Sequence, residues 1–131
     1  MPTTFLDPES LSRPTAYSHV AIVEAGRQVH VSGQVALDAR GQLVGKDDFA
    51  AQARQVYANL GHALAAAGSS MTNVFKVVTY VVDPTPDKIA ALRAIRATLH
   101  GSGPFPASTL VGVTALASPD WMLEIEVIAS V

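Results

Sequence analysis

The sequence predicts an α+β fold with the element order β-β-α-β-α-β-β, in which two helices lie on one face of a mixed sheet. Two stretches carry apolar residues at helical spacing, and runs rich in β-branched residues precede, separate and follow them. A third observation is a strand at residues 74–82 that is apolar on both faces. With 131 residues and 49% hydrophobic side chains, the chain is long enough to bury one core.

The N-terminal part of the chain predicts an arm followed by two strands. Residues 1–16 are rich in Pro, Thr and Ser and are typical of an extended arm, which leaves residues 17–131 as a single domain. Residues 18–24 and 28–32 are strand-like, and Ala25 and Gly26 favour a turn between them. We therefore expect these two strands to close a hairpin.

Each predicted helix is bounded by residues that favour helix ends. Asp47 and Asp48 precede the first helix, where carboxylates stabilise the positive end of the helix dipole, and Gly68 follows it. Thr85 is the predicted N-cap of the second helix, which Gly101 ends. The apolar positions are Phe49, Ala53, Leu60 and Leu64 in the first helix and Ile89, Leu92, Ile95 and Leu99 in the second.

The strand at residues 74–82 indicates that the sheet needs cover on both faces. Two helices cover only one face, and a second copy of the same sheet is the simplest cover for the other. This predicts a homo-oligomer, with long loops over the second face as the alternative. Residues 109–115 and 121–129 predict two further strands, joined by a turn at residues 118–120.

Composition excludes several classes of function. Nine basic and eleven acidic residues give a net charge of −2, which argues against binding to nucleic acid or to an anionic membrane. The absence of cysteine excludes disulfides, thiolate metal sites and cysteine nucleophiles. The first residues lack the features of a signal peptide, and no apolar run reaches 18 residues. We therefore expect a soluble, cytoplasmic protein.

Short motifs alone leave the chemistry open. His19, His30, His62 and His100 fall in four separate elements, which does not indicate a metal site, and His30 is more typical of a structural sheet histidine than of a catalytic base. Gly33 permits either a close approach of a ligand to the backbone or a bulge.

A pair of carboxylates near the C-terminus is the strongest local candidate for acid–base chemistry. Glu124 and Glu126 share one face of the last strand, because side chains alternate along a strand. Their mutual repulsion favours a raised pKa and a general base, and a solvated sheet face is the alternative.

Taken together, several segments resemble the RidA family, also called YjgF, from about Tyr17 to the C-terminus. The segments that carry the resemblance are Val-Ser-Gly-Gln at residues 31–34, Ala-Ala-Gln-Ala-Arg-Gln at 50–55, Asn-Leu at 59–60, Ala-Ala-Gly at 66–68, the strand at 74–83, Phe-Pro-Ala at 105–107 and Leu-Glu-Ile-Glu-Val-Ile-Ala at 123–129. Their order and spacing over most of the chain make the resemblance specific.

The resemblance implies a chorismate-mutase-like fold and a homotrimer with ligand clefts between subunits. It implies hydrolysis of reactive enamines and imines, in which 2-imino acids become 2-keto acids and ammonia without a metal or an organic cofactor. Glu126 matches the family's site glutamate, which positions or deprotonates the attacking water. Tyr17, Ser32 and Gly33 match other positions of the cleft.

One position departs from the family pattern. An arginine that grips the substrate carboxylate directly follows Phe-Pro-Ala in the family, and here that residue is Ser108. Loss of such a contact weakens binding by about 10²-fold or more. Arg93 on the second helix is a candidate to supply the charge, with a solvent-facing helix residue as the alternative.

The leading hypothesis is a trimeric enamine/imine deaminase in which Glu126 is catalytic and Tyr17, Ser32, Gly33, Arg93 and Ser108 bind the substrate. Its substrate is expected to depend less on a carboxylate anchor than 2-iminobutanoate does. A trimer that binds a small molecule without chemistry is the alternative. RNA cleavage, an activity attached to some family members, is disfavoured by the near-neutral charge and the lack of a basic stripe.

Overall fold

The computed structural model describes residues 3–24 and 26–131, so Met1, Pro2 and Ala25, the first residue of the predicted turn, lie outside the described residues. The elements in chain order are β1 (Thr3–Leu6), β2 (Val20–Val23), β3 (Gln28–Gln34), α1 (Phe49–Ala66), a 3₁₀ turn (Met71–Asn73), β4 (Val74–Val82), α2 (Pro86–His100), β5 (Ala107–Val113) and β6 (Leu123–Ser130).

The described residues form a main sheet of four strands in the order β3-β6-β4-β5. β6 is antiparallel to both β3 and β4, whereas β5 is parallel to β4. A parallel neighbour requires a crossover connection, and α2 supplies it between β4 and β5. The predicted fold class, two helices on one face of a mixed sheet, is confirmed.

The predicted hairpin between the first two strands is wrong. β2 pairs antiparallel with β1, which lies inside the predicted arm, and β3 pairs with β6 instead. The pairing with β6 buries Val31 opposite Val127 in the core, a gain that a local hairpin does not provide. Residue 16 as the boundary between arm and domain stays a prediction.

The helix ends follow the predicted capping residues. Asp48 is the N-cap of α1 and its carboxylate accepts from the Ala51 backbone N–H at 3.0 Å. Gly68 has a φ of +77°, the left-handed conformation that ends many helices. Thr85 caps α2, and Gly101 ends it with a φ of +57°.

The core lies between the helices and one face of the main sheet. Residues at alternate positions of β4 and β6 point into it, and Val81, Leu123 and Ile125 are fully buried there. The opposite side of the main sheet, called the open face below, carries Val78 and Tyr80, which are half-buried, and Val111, which is 40% exposed. The alternation thus matches the predicted strand with two apolar faces, of which the helices cover one.

None of the helices in residues 3–24 and 26–131 is both long enough and apolar enough to cross a membrane.

A buried amide joins α1 to two loops of the main sheet. Gln52 is fully buried, and its Nε2 donates to the carbonyls of Gly45 and Asp120 at 3.1 and 2.9 Å. Its Oε1 accepts from the Met122 backbone N–H at 3.0 Å. Three backbone groups of two loops therefore depend on one side chain.

We expect Gln52→Met to lower the free energy of unfolding by about 2–4 kcal/mol, because the substitution keeps the volume and leaves buried backbone groups without partners. The exposed Gln42 offers the matched control Gln42→Met, which is expected to change stability by under about 0.5 kcal/mol. Urea denaturation measures both, and equal midpoints for the two variants would contradict the role of Gln52.

Candidate functional site

The predicted catalytic carboxylate lies on the open face. Glu126 is directly opposite Val78 of β4, and both side chains point away from the helices. The Tyr80 hydroxyl donates to Glu126 Oε1 at 2.7 Å. Tyr80 therefore holds one carboxylate oxygen of Glu126 and leaves Oε2 available to another donor.

The Tyr80 phenol is perturbed by this contact. Its hydrogen bond to Glu126, together with burial and the negative charges of Glu126 and Glu124, raises the pKa of Tyr80 above its ordinary value of 10.0. The cause is that ionisation would remove the donated proton and place a phenolate beside carboxylates. Tyr80 therefore stays protonated at neutral pH and donates its hydrogen bond to Glu126.

Gly33 of β3 lies against Glu124, the carboxylate two residues before Glu126 on β6. A Cβ atom at Gly33 would collide with Glu124 Oε2 and approach the Cδ and Cγ atoms of Glu124 to 2.9 Å. The register of β3 on β6 also shifts between Val31 and Gln34. The bulge interpretation of this glycine therefore applies, whereas the close approach of a ligand stays a prediction, and Ser32 beside it is exposed.

Three of the predicted binding residues come together in a separate cleft. Tyr17, Arg93 and Ser108 line a space of about 230 Å³ between α2 and the edge strand β5. Ser18, directly after Tyr17, is bound to the start of β5: its backbone N–H donates to the Pro106 carbonyl at 3.1 Å, and its Oγ donates to the Phe105 carbonyl at 2.7 Å. Arg93 is exposed at the rim of this cleft.

The main sheet separates these two groups of residues. Ser108 is opposite Val77 and points to the helix side, whereas Glu126 points to the open face. β6 and β5 lie on opposite sides of β4, so their backbones are about 10 Å apart at this level. Glu126 and the cleft at Ser108 therefore do not share a pocket within one chain.

Arg96, which was not among the predicted site residues, lines the same cleft as Arg93 and Ser108. Arg96 Nε donates to the Tyr57 hydroxyl at 3.0 Å, and Nη2 donates to Thr79 Oγ1 at 3.1 Å. Its position three residues after Arg93 places both arginines on one face of α2, and this spacing in the sequence could have predicted that they lie together. Tyr80 was not among the predicted site residues either, although alternation along β4 places it on the same face as Glu126.

His100 is the third polar residue at this end of α2. It lines a small cavity together with Arg96 and Ser108, and its ring packs edge-on against Phe105 with centroids 6.4 Å apart. Burial, followed by the positive charge of Arg96, lowers the pKa of His100 below its ordinary value of 6.5. His100 is therefore neutral at physiological pH.

The described residues bring together no group of three or more His, Asp or Glu side chains of the kind that holds a metal ion. The chemistry that the arrangement supports is that of a positioned carboxylate on the open face and of guanidinium and hydroxyl donors in the cleft.

The chain is similar to a protein family and to two curated relatives. The family model described as Endoribonuclease L-PSP matches residues 9–131. The chain is 36% identical over 115 residues to the 2-iminobutanoate/2-iminopropanoate deaminase of Rattus norvegicus, covering 87% of this chain and 79% of that protein. It is 32% identical over 115 residues to the RutC family protein YjgH of Escherichia coli K12, covering 88% and 84% of the two chains.

A solved structure supports the same relationship. The crystal structure of YyfB, a protein of the Rid family from Yersinia pestis, superimposes with a TM-score of 0.92 at 37% identity and covers 100% of both chains. The RidA structure from Psychrobacter has a TM-score of 0.71 at 30% identity and covers 92% of each chain. The structural similarity and the sequence similarity therefore indicate the same family.

We expect Glu126→Gln to lower the pKa of Tyr80 toward 10, because the variant removes the carboxylate that disfavours the phenolate. The ¹³Cζ resonances of Tyr17, Tyr57 and Tyr80, followed by NMR as pH rises, resolve the three phenols, and Tyr80→Phe assigns one. A pKa of Tyr80 that is the same in the variant and in the parent protein would refute the contact.

Proposed function

The chain belongs to the Endoribonuclease L-PSP family, the family of RidA and YjgF, and from this membership we propose that it hydrolyses reactive enamines or imines to a carbonyl product and ammonia. The family includes 2-iminobutanoate/2-iminopropanoate deaminases, and 87% of this chain aligns with one of them. The observation that carries the proposal is Glu126, a carboxylate held by Tyr80 beside the strand that contains Gly33.

Glu126 acts on the water in this proposal. Its Oε1 is occupied by the Tyr80 hydroxyl, so Oε2 accepts a hydrogen bond from the attacking water and orients the water lone pair toward the imine carbon. As the C–O bond forms, the C=N π pair moves to nitrogen, and Glu126 transfers the proton that it takes from the water to that nitrogen, which gives the carbinolamine. Glu126 then takes the hydroxyl proton and passes it to the amino group. The carbonyl forms as the C–N bond breaks and its electron pair leaves with ammonia.

The substrate is proposed to bind between copies of the chain. Glu126, Ser32 and Gly33 lie at the β3–β6 side of the main sheet, and Tyr17, Arg93 and Ser108 lie at the opposite edge, beside β5. We propose a head-to-tail contact in which the β5 edge of one copy packs over the β3–β6 part of the open face of the next, with a rotation between copies that closes the ring. We propose the homotrimer that the family resemblance implies.

The same assembly gives the open face its cover. Val78 and Tyr80 are half-buried there and Val111 is 40% exposed, so packing of the three open faces removes apolar surface from water. The low fraction of charged residues, 15%, supports an extensive interface between copies.

Ser108 is proposed to alter specificity. A serine hydroxyl makes one ordinary hydrogen bond, whereas an arginine at this position makes two charge-assisted bonds to a carboxylate. The same departure supports a second candidate function, a trimer that binds a small molecule without chemistry, since a pocket persists where a substrate anchor on β5 is absent. RNA cleavage remains disfavoured, because the net charge of −2 provides little attraction for phosphates.

The test of turnover is keto-acid release from 2-aminoacrylate, generated in the cuvette by a pyridoxal-phosphate dehydratase acting on serine. We expect the protein to accelerate release and Glu126→Gln to lower the enzyme-dependent rate by about 10²–10⁴-fold, the usual contribution of a general base. Glu24, exposed after β2, gives the matched control Glu24→Gln with an unchanged rate.

Stabilisation by 2-keto acids without any acceleration of release, across several imines, would favour the binding protein over the enzyme.

The test of assembly is the mass in solution. We expect about 41 kDa by light scattering, three chains of 13.7 kDa, and a lower mass for Val111→Lys, because the change buries a charge in the interface between open faces. Leu11→Lys, at a 49% exposed position of the arm, is the control that keeps the trimer. A parent protein that is monomeric at 1 mM would overturn the shared site.

A further inference from the structure

We propose that Arg96, together with Arg93, supplies from α2 the carboxylate anchor that position 108 of β5 lacks, so that the cleft beside Tyr17 and Ser108 binds the carboxylate of a small 2-keto or 2-imino acid. This inference rests on the proposed function for the identity of the ligand. It is an alternative to the expectation that the substrate depends less on a carboxylate anchor than 2-iminobutanoate does.

The first support is the rigid placement of Arg96. Its guanidinium reaches from α2 to Tyr57 of α1 and to Thr79 of β4, which are 6% and 0% exposed. Two bonds to buried groups fix the plane of the guanidinium before any ligand arrives, which lowers the entropic cost of binding. Arg93, three residues earlier, is exposed and adds a second positive charge at the rim.

The second support is the charge balance of the Arg96 side chain. Its two partners are neutral hydroxyls, and they use two of the five N–H donors of the guanidinium. Arg96 is half-buried, and a cation removed from water is stabilised by an anion more than by neutral acceptors. A carboxylate in the cleft provides that anion through the remaining N–H donors.

The third support is the space available next to Arg96. The cavity that it shares with His100 and Ser108 on one side encloses only about 10 Å³, room for a single water molecule. The cleft on the side of Arg93 and Tyr17 encloses about 230 Å³. A ligand of a few heavy atoms fits the second space, with its carboxylate on the guanidinium and the Ser108 hydroxyl as a further donor.

The serine at position 108 is consistent with this arrangement. Ser108 lines the same cleft as both arginines, so an arginine there would place a third guanidinium beside two others and add repulsion between like charges. A short neutral side chain leaves the cleft to the charges from α2. Arg96 and position 108 are therefore alternative sources of one anchor.

Binding of a stable product tests the anchor apart from turnover. Calorimetry is expected to detect 2-oxobutanoate binding to the parent protein, and its uncharged amide, 2-oxobutanamide, is expected to bind at least tenfold more weakly. We expect about 10²-fold weaker 2-oxobutanoate binding for Arg96→Gln, and a loss for Arg96→Lys as well, because an ammonium lacks the paired N–H geometry. Arg40→Gln, at an exposed loop position, is the control with unchanged affinity.

Moving the guanidinium from position 96 to position 108 tests whether Arg96 binds the ligand or only stabilises the fold. Arg96 links α2 to α1 and β4, so its loss also lowers stability, which thermal denaturation without ligand reports. The double variant Arg96→Gln/Ser108→Arg is expected to recover at least tenfold of the lost affinity, since the second change restores a guanidinium to the same cleft. The ring resonances of His100 are expected to shift on binding, because it neighbours Arg96.

Equal affinity of the parent protein and a folded Arg96→Gln variant for 2-oxobutanoate would overturn the proposal, as would equal binding of the amide or no recovery in the double variant. Carboxylate binding that depends on Arg96, without any turnover, leaves the anchor standing and rejects the deaminase. Turnover that is unchanged by loss of Arg96 rejects the anchor and leaves the deaminase standing.

Discussion

The alternation of side chains along β4 and β6 sets which groups are buried in the core and which lie on the open face. Each residue of these two central strands points either to the helix-covered core or to the open face. Val77, Thr79 and Val81 lie on the first side, and Val78 and Tyr80 lie on the second. A shift of one residue in the pairing would exchange the two sets, burying Glu126 in the core and exposing Ile125. The burial of the core therefore also decides where the candidate catalytic carboxylate lies.

This constraint places the candidate site residues in two groups on opposite sides of the sheet. The open face has the carboxylates Glu124 and Glu126 with the Tyr80 phenol, and the other group has the guanidiniums of Arg93 and Arg96 on α2. A reaction at an imine needs a polarised water, and a carboxylate ligand needs a cation. The two requirements are met on opposite sides of one sheet, so assembly of copies is part of the proposed chemistry rather than an addition to it.

Polar side chains of α1 hold the loops that surround the β3 end of the site. Asn59 donates to the carbonyls of Val35 and Leu37 at 3.0 and 2.9 Å, and Gln52 holds the loops at Gly45 and Met122. The segment after Gly33 is therefore tied to a helix rather than left to its own turn preferences. The amides of buried Gln52 and half-buried Asn59 therefore hold the loop backbone that follows Gly33.

The elements with local signals were predictable from the sequence: both helices with the caps Asp48 and Thr85, the strand at 74–82 with its two apolar faces, and the shared face of Glu124 and Glu126. The family also followed from the order of short segments, and it is now shown. Pairing partners were decided only in the tertiary structure. β3 joined β6 rather than β2 because burial of Val31 against Val127 outweighs a nearby turn, and residues 3–6 became a strand because β2 needed a partner. The cleft was likewise beyond the sequence, since Arg96, Tyr57 and Thr79 are distant along the chain and meet only when α2 packs across the sheet.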